Sequence, residues 1–376
     1  ERAMRLAAAV PIPDVESFGF GDPLPPAGMS ASYAAPGSSL SRDIMDRYRQ
    51  VVSGAHVSGA KEVSNEWGAA MFEAFGQDPG SYKMLADRSF AAGVTTQILH
   101  GLSYASYNDG ASPTWPGWCT WCSVPSGPIT LQVSESWNPG YPQWKHWPRL
   151  TGYLGRISAV LRNGKPRVHL ALLDDRSVIG TSGLACSADD TLRLKLIQAG
   201  YTWDAMDTNL ISQLSDASGG RLLPDGPSYK AVVVNNQVTM SVATARKLLQ
   251  NAKNGLPVIF YGAVPVRGTG FRDAASEDAE LAGTLQQLML LGNVRRISTP
   301  ADLVSTLGGL SVSADFRPAQ TSEIIPVRRS TTAGDIWFLY NNSTQAVSTD
   351  ATFAATGVPT RIDPWTGNTG SVLICV

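Results

Sequence analysis

Three short apolar runs, "RVHLALL", "YKAVVVNN" and "LPVIFYG", lie between residues 167 and 262, and the stretches separating them read as helices. Runs of four to six apolar residues with no polar alternation fit strands buried on both faces, and that means a parallel sheet flanked by helices. "LRLKLIQAGYTWDAMD" supplies a helix and a strand, and "SVATARKLLQNAKNG" is an amphipathic helix. The expected architecture here is a doubly wound parallel sheet.

Upstream, the same rhythm is present in a looser form. "SRDIMDRYRQVVSGAHVSG" opens with Ser41 as an N-cap and carries Ile44, Met45, Tyr48, Val51 and Val52 at helical spacing. "KEVSNEW" then reads as a strand, "DPGSYKMLADRSFAAGV" as a turn and a helix from about Ser81 to Ala91 stopped by Gly93, and "TTQILHGLSY" as a strand. A further helix is predicted from about Arg149 to Leu161. Helix and strand in alternation with short joints is the rhythm of a βα-repeat fold, of which a partial (β/α)-barrel of the TIM type is one form. From about Asp315 alternation punctuated by Asn, Gly and Pro predicts a small antiparallel β domain. The expected domains are therefore 1–165 (barrel portion), 166–314 (α/β) and 315–376 (β-sandwich-like).

Thirty basic and 31 acidic residues leave a net charge of -1, and no Lys/Arg block interrupts the chain, so nucleic acid is not an expected partner. The apolar runs fall well short of the roughly 20 residues of a bilayer span, so no membrane insertion is expected. Cysteines stand at 119, 122, 186 and 375. Cys119 and Cys122 lie in the Pro- and Gly-rich "SPTWPGWCTWCSVPSGP", where a local disulfide is expected, with free thiols as the alternative; no pairing is assigned to Cys186 and Cys375. "NNST" offers overlapping glycosylation acceptors at Asn341 and Asn342. With the disulfide, these point to a secreted protein. The start "ERAMRLAAAV" has no signal-peptide pattern and is read as lying inside a longer precursor.

Chemistry in a βα fold collects where strands end, and three acidic residues have that address: Glu16 in "PDVESFGFG", Glu66 in "VSNEW" and Glu135 in "QVSESWN". Glycoside hydrolysis needs two carboxyl groups, one protonated and one ionised, and two of these three could form such a pair. Each also has a plainer reading, as a helix cap or a partner of Arg or Lys at the rim. Trp67 beside Glu66 is expected to wall the carboxyl and hold its proton. Residues 104 to 148 hold six of the ten tryptophans. Trp67, Tyr104, Trp137, Trp144 and Trp147 are the expected stacking surfaces for sugar rings, with His100 and Asn138 hydrogen-bonding hydroxyls. His100 and His146 also have the plainer reading of structural histidines. No nucleophile elbow, phosphate loop or HExxH is present.

Taken in order, "AHVSGAKEVSNEWGAAM", "GSYKMLADRSFAAGVTTQILHGLSY", "WPRLTGYLGRISAVLRNGKPRVHLALL", "GRLLPDGPSYKAVVVNNQVTMSVATARKLLQ", "DIWFLYNNST" and "DPWTG" resemble the α-L-rhamnosidases of glycoside hydrolase family 106. The resemblance implies a (β/α)-barrel with accessory domains and an inverting hydrolysis of terminal α-L-rhamnosides assisted by calcium. It places Glu66 at an active-site strand end, Glu16 at a similar position, and His100 at the mouth of the barrel. Glu66 and Glu16 are then also the expected carboxylates near the calcium. The loop around Glu135 departs from the family pattern. Family members are much longer, so a preceding segment of the same precursor, in the same or a separate chain, is expected to supply the first barrel strands. The expectation is a secreted glycosidase acting on plant polysaccharide or glycoside. Its rivals are a non-catalytic carbohydrate-binding protein and a polysaccharide lyase using His100 with Tyr104.

Overall fold

The computed structural model describes residues 2–17, 35–68, 78–100, 139, 143–174, 190–270 and 272–372. The chain forms two compact units: Glu1–Pro13, Arg49–Lys61 and Asn163–Ala355 make one, and Asp14–Tyr48, Glu62–Arg162 and Thr356–Val376 the other. In chain order α1 (Arg2–Ala8), β1 (Asp14–Glu16), α2 (Ser39–Ser58), β2 (Ser64–Trp67), α3 (Pro79–Ala92), β3 (Thr96–Leu99) and α4 (Trp147–Leu161) come first. There follow β4 (Lys165–Arg167), β5 (Leu170–Leu173), α5 (Asp190–Gln198), β6 (Trp203–Met206), α6 (Thr208–Gln213), β7 (Ala231–Asn235), α7 (Val242–Lys253), β8 (Val258–Tyr261), α8 (Ala274–Met289), β9 (Val294–Ile297) and α9 (Ala301–Gly309). The strands β10 (Phe316–Pro318), β11 (Ile324–Thr331), β12 (Gly334–Asn341) and β13 (Ala351–Phe353) come next, then a hairpin of Thr360–Ile362 with Thr369–Ser371.

The larger unit contains the doubly wound sheet, with parallel strands in the order β6-β5-β7-β8-β9. Every residue of β5, β7 and β8 is buried, as continuous apolar runs require when helices cover both faces. β9 and α8 extend this sheet beyond the strands legible in the sequence. The β11–β12 hairpin joins β4 in an antiparallel sheet, so β10 to β13 lie within the α/β unit and do not stand apart. Arg329 fixes this arrangement by donating to the carbonyls of Asn163 and Gly164. Packing thus divides the chain differently from the expected 1–165, 166–314 and 315–376: the expectation follows sequence character, while contacts gather distant segments.

In the smaller unit β1, β2 and β3 form a parallel sheet with Asp14 opposite Ser64, Glu16 opposite Glu66, and Glu66 opposite Ile98. α3 begins two residues earlier than the sequence suggests, because Asp78 caps it by accepting from the Gly80 and Ser81 amides and Pro79 suits the first helical position. It ends at Gly93, whose φ of 108° is open to glycine at little cost. The 360–371 hairpin is held to α4, where Arg156 donates to the carbonyls of Pro364 and Trp365, and Trp365 packs on Tyr153 with ring centroids 4.5 Å apart.

Candidate active site at the ends of three parallel strands

Successive residues of a strand point to opposite faces, so register fixes what shares a surface. Asp14 and Glu16 of β1, Ser64 and Glu66 of β2, and Thr96 and Ile98 of β3 lie on one face. The other face bears Asn65, Trp67 and Gln97, and helices cover it. The Trp67 ring meets Tyr82 of α3 edge-on at 5.3 Å, and Tyr82 meets Trp147 of α4 at the same distance. The carboxyl-bearing face stays partly open: Ile98 is 49 % exposed, although apolar.

At the carboxyl end of this open face Glu16 and Glu66 stand abreast. His100 follows β3 and continues the ladder, since its backbone N–H donates to the Trp67 carbonyl at 2.8 Å. Its imidazole Nδ1 lies 2.8 Å from Glu66 Oε1. Partial burial raises the pKa of Glu16 above the usual carboxylate range; the negative charge of Glu66 adds to this, His100 opposes it, and Asp14 adds a smaller push. The pKa of Asp14 is also raised, by burial first; the hydrogen bond from Ser64 Oγ works against this and the charge of Glu66 with it. One carboxyl of the pair therefore holds its proton more tightly than an ordinary glutamate, while its neighbour is bonded to an imidazole. That pairing suits general acid and base work.

The family model for alpha-L-rhamnosidases of glycoside hydrolase family 106 matches residues 26–374. The chain belongs to this family. A candidate beta-glucuronidase of Formosa agariphila is 23 % identical over 332 residues, covering 87 % of this chain and 26 % of that protein. The solved rhamnosidase of Novosphingobium sp. PP1Y superimposes with a TM-score of 0.71 at 20 % identity, over 98 % of this chain and 33 % of the other. A beta-galactosidase of Bacillus circulans sp. alkalophilus gives 0.52 at 10 % identity, over 92 % of this chain and 66 % of the other. At such identities the structures establish a shared fold. The chain spans about a quarter to a third of the length of the first two relatives.

Of the residues expected at the site, the structure brings Glu16, Glu66 and His100 together. Trp67 is a correction: it is fully buried on the opposite face, because it is the next residue after Glu66 in the same strand, and it offers no ring to a sugar. Trp147 is likewise buried against Tyr82 and is no stacking surface. Trp144 is 37 % exposed, in a short turn of 3₁₀ helix before α4, and His146 is exposed there too. Glu135, Tyr104, Trp137, Asn138, Cys119, Cys122, Cys186 and Cys375 lie outside the described residues. Asn342 is a second correction: it is buried, with its side-chain amide donating to Glu323, so the folded chain cannot carry a glycan there. The Asn341 amide donates to the Gln345 carbonyl.

Asp14 and Ser64 are the residues sequence reading missed. The signal was available, since each lies two positions before a strand-end glutamate and so shares its face. Calcium takes six to eight oxygen ligands. Glu16 and Glu66 alone do not supply such a set, and among the described residues no group of three or more His, Cys, Asp or Glu side chains could hold a metal ion. These residues by themselves do not fit the ion. Nor is any described helix long and apolar enough to cross a membrane.

Proposed function

We propose that this chain carries part of the active site of a glycosidase that removes terminal α-L-rhamnose, or a similar deoxy-sugar, from plant polysaccharide or glycoside. The observation that supports it is the abreast pair Glu16 and Glu66, with His100 on Glu66, at the strand ends of a family 106 chain. Glu16, with its raised pKa, gives its proton to the departing glycosidic oxygen. Glu66, bonded to His100, is the second carboxyl of the pair.

The carboxyls of a retaining pair stand about 5 Å apart and those of an inverting pair about 6.5–9.5 Å. The resemblance implies the inverting course, and Glu135, outside the described residues, is the third candidate carboxyl. Activity on an aryl α-L-rhamnoside should fall about a hundredfold or more in Glu66→Gln and in Glu16→Gln, with folding unchanged. Near-wild-type rates in both variants would refute the assignment. NMR of the first-formed sugar anomer decides the rest: retention makes Glu16 and Glu66 the complete pair, and inversion assigns the opposing role elsewhere.

The same proposal includes an extracellular location, supported by the Cys119/Cys122 spacing, and completion of the barrel by a preceding segment of the precursor.

A further inference from the structure

We propose that His100 is a positioning residue for Glu66: its Nδ1–H donates to Glu66 Oε1 and holds that carboxyl in one orientation at the strand end. The inference rests on the glycosidase reading of this site. It differs from the expectation that His100 touches sugar hydroxyls.

Glu16 and Glu66 occupy the same register on adjacent strands. The imidazole of His100 reaches Glu66 at 2.8 Å. It sits two residues beyond Ile98, which is opposite Glu66, and on the same face. Its backbone is pinned to Trp67 at 2.8 Å, and Trp67 is locked in the aromatic stack, so the ring is carried by rigid structure. The strand order β1-β2-β3 places Glu66 between Glu16 and the imidazole. A hydrogen bond from that side, carried on rigid backbone, fixes the direction of the Glu66 carboxyl.

Two measurements on the full-length protein test this. The first is steady-state hydrolysis of an aryl α-L-rhamnoside by His100→Ala and His100→Asn. The alanine variant should lose about ten- to a hundredfold in kcat with KM nearly constant. Asparagine, whose amide N–H can occupy the place of Nδ1–H, should restore much of the loss. A rise in KM at constant kcat would make His100 a substrate contact and overturn the proposal, as would equal loss in both variants. The second measurement does not depend on turnover. The chain has four histidines, so ¹⁵N NMR of the imidazoles is tractable, with the loss of one set in His100→Asn as the assignment. The His100 ring in the unsubstituted protein should be protonated at Nδ1, and Glu66→Ala should release it to the Nε2–H form favoured in water. A ring that carries its proton on Nε2 alone in the unsubstituted protein overturns the proposal, whatever the activity. Absence of rhamnosidase turnover with Nδ1 protonated would sink the functional reading and leave the hydrogen bond standing.

Discussion

Replacing Trp67 by alanine separates a structural indole from a sugar platform. The side chain is fully buried and forms an edge-on contact with Tyr82, which in turn meets Trp147. A buried tryptophan hides about 150–250 Å². At about 25 cal/mol per Å² this corresponds to about 4–6 kcal/mol of transfer free energy. Alanine retains part of that burial and the cavity collapses only in part, so truncation should cost about 3–5 kcal/mol. Loss of the edge-on ring pair falls within this range. For a domain of this size each kcal/mol lowers the melting temperature by about 2–4 °C, which places the fall at roughly 6–20 °C. Phenylalanine keeps a ring against Tyr82 and should cost about 1–2 kcal/mol. Urea unfolding gives the stability difference, and rhamnoside kinetics below the transition give KM. The structure requires a large stability loss with KM little changed in whatever protein remains folded. A Trp67→Ala variant within about 0.5 kcal/mol of wild type, with KM raised severalfold, would show that the indole meets substrate and that the strand faces are assigned wrongly.

Two further perturbations follow from the larger unit. Burial lowers the pKa of His169 below the ordinary histidine value despite its contact with Asp315, so below about pH 6.5 the unfolded chain binds the extra proton first. The stability contributed by a neutral His169 is complete above that pH and declines as pH falls through it. Asp315 is held well below the usual carboxylate range by His169 and by ion pairs with Lys230 and Arg328, which overcome its own burial. Its contribution is therefore present above about pH 4 and lost only at stronger acid. Unfolding curves should show two separate acid limbs, and His169→Gln should remove the one at higher pH. In α2, a Cβ added at Gly54 would lie 2.2 Å from the Met4 carbonyl oxygen and 2.8 Å from Ala7 Cβ. Gly54→Ala should therefore release α1, with a net loss of about 1–2 kcal/mol after the gain in helix propensity and faster amide exchange across residues 4–8. Unchanged exchange would refute the contact.

What the sequence made legible follows from how local its causes are. Buried parallel strands announce themselves as runs, so β5, β7 and β8 were readable. The gain of β9 depended on α8, whose weak amphipathicity hides it among charged and small residues. The joining of β11 to β4 was not readable, because it depends on Arg329 reaching carbonyls far away in the chain.

The site is the instructive case. Glu16, Glu66 and His100 were legible as strand-end residues, and address alone was enough to find them. Adjacency to Glu66 suggests the same cleft for Trp67, yet adjacency in a strand argues the reverse. Period-two alternation places residues 66 and 67 on opposite faces, so if the carboxylate lines an open surface the indole must enter the layer behind it. The same rule makes Asp14 and Ser64, two positions before the glutamates, the neighbours of the cleft. Alternation therefore determines which flanking residues can act on a strand-end carboxylate: those at even spacing reach it directly, and those at odd spacing influence it only by holding the strand in place. Trp67 belongs to the second class, and through the backbone bond from His100 it also fixes the imidazole that meets Glu66.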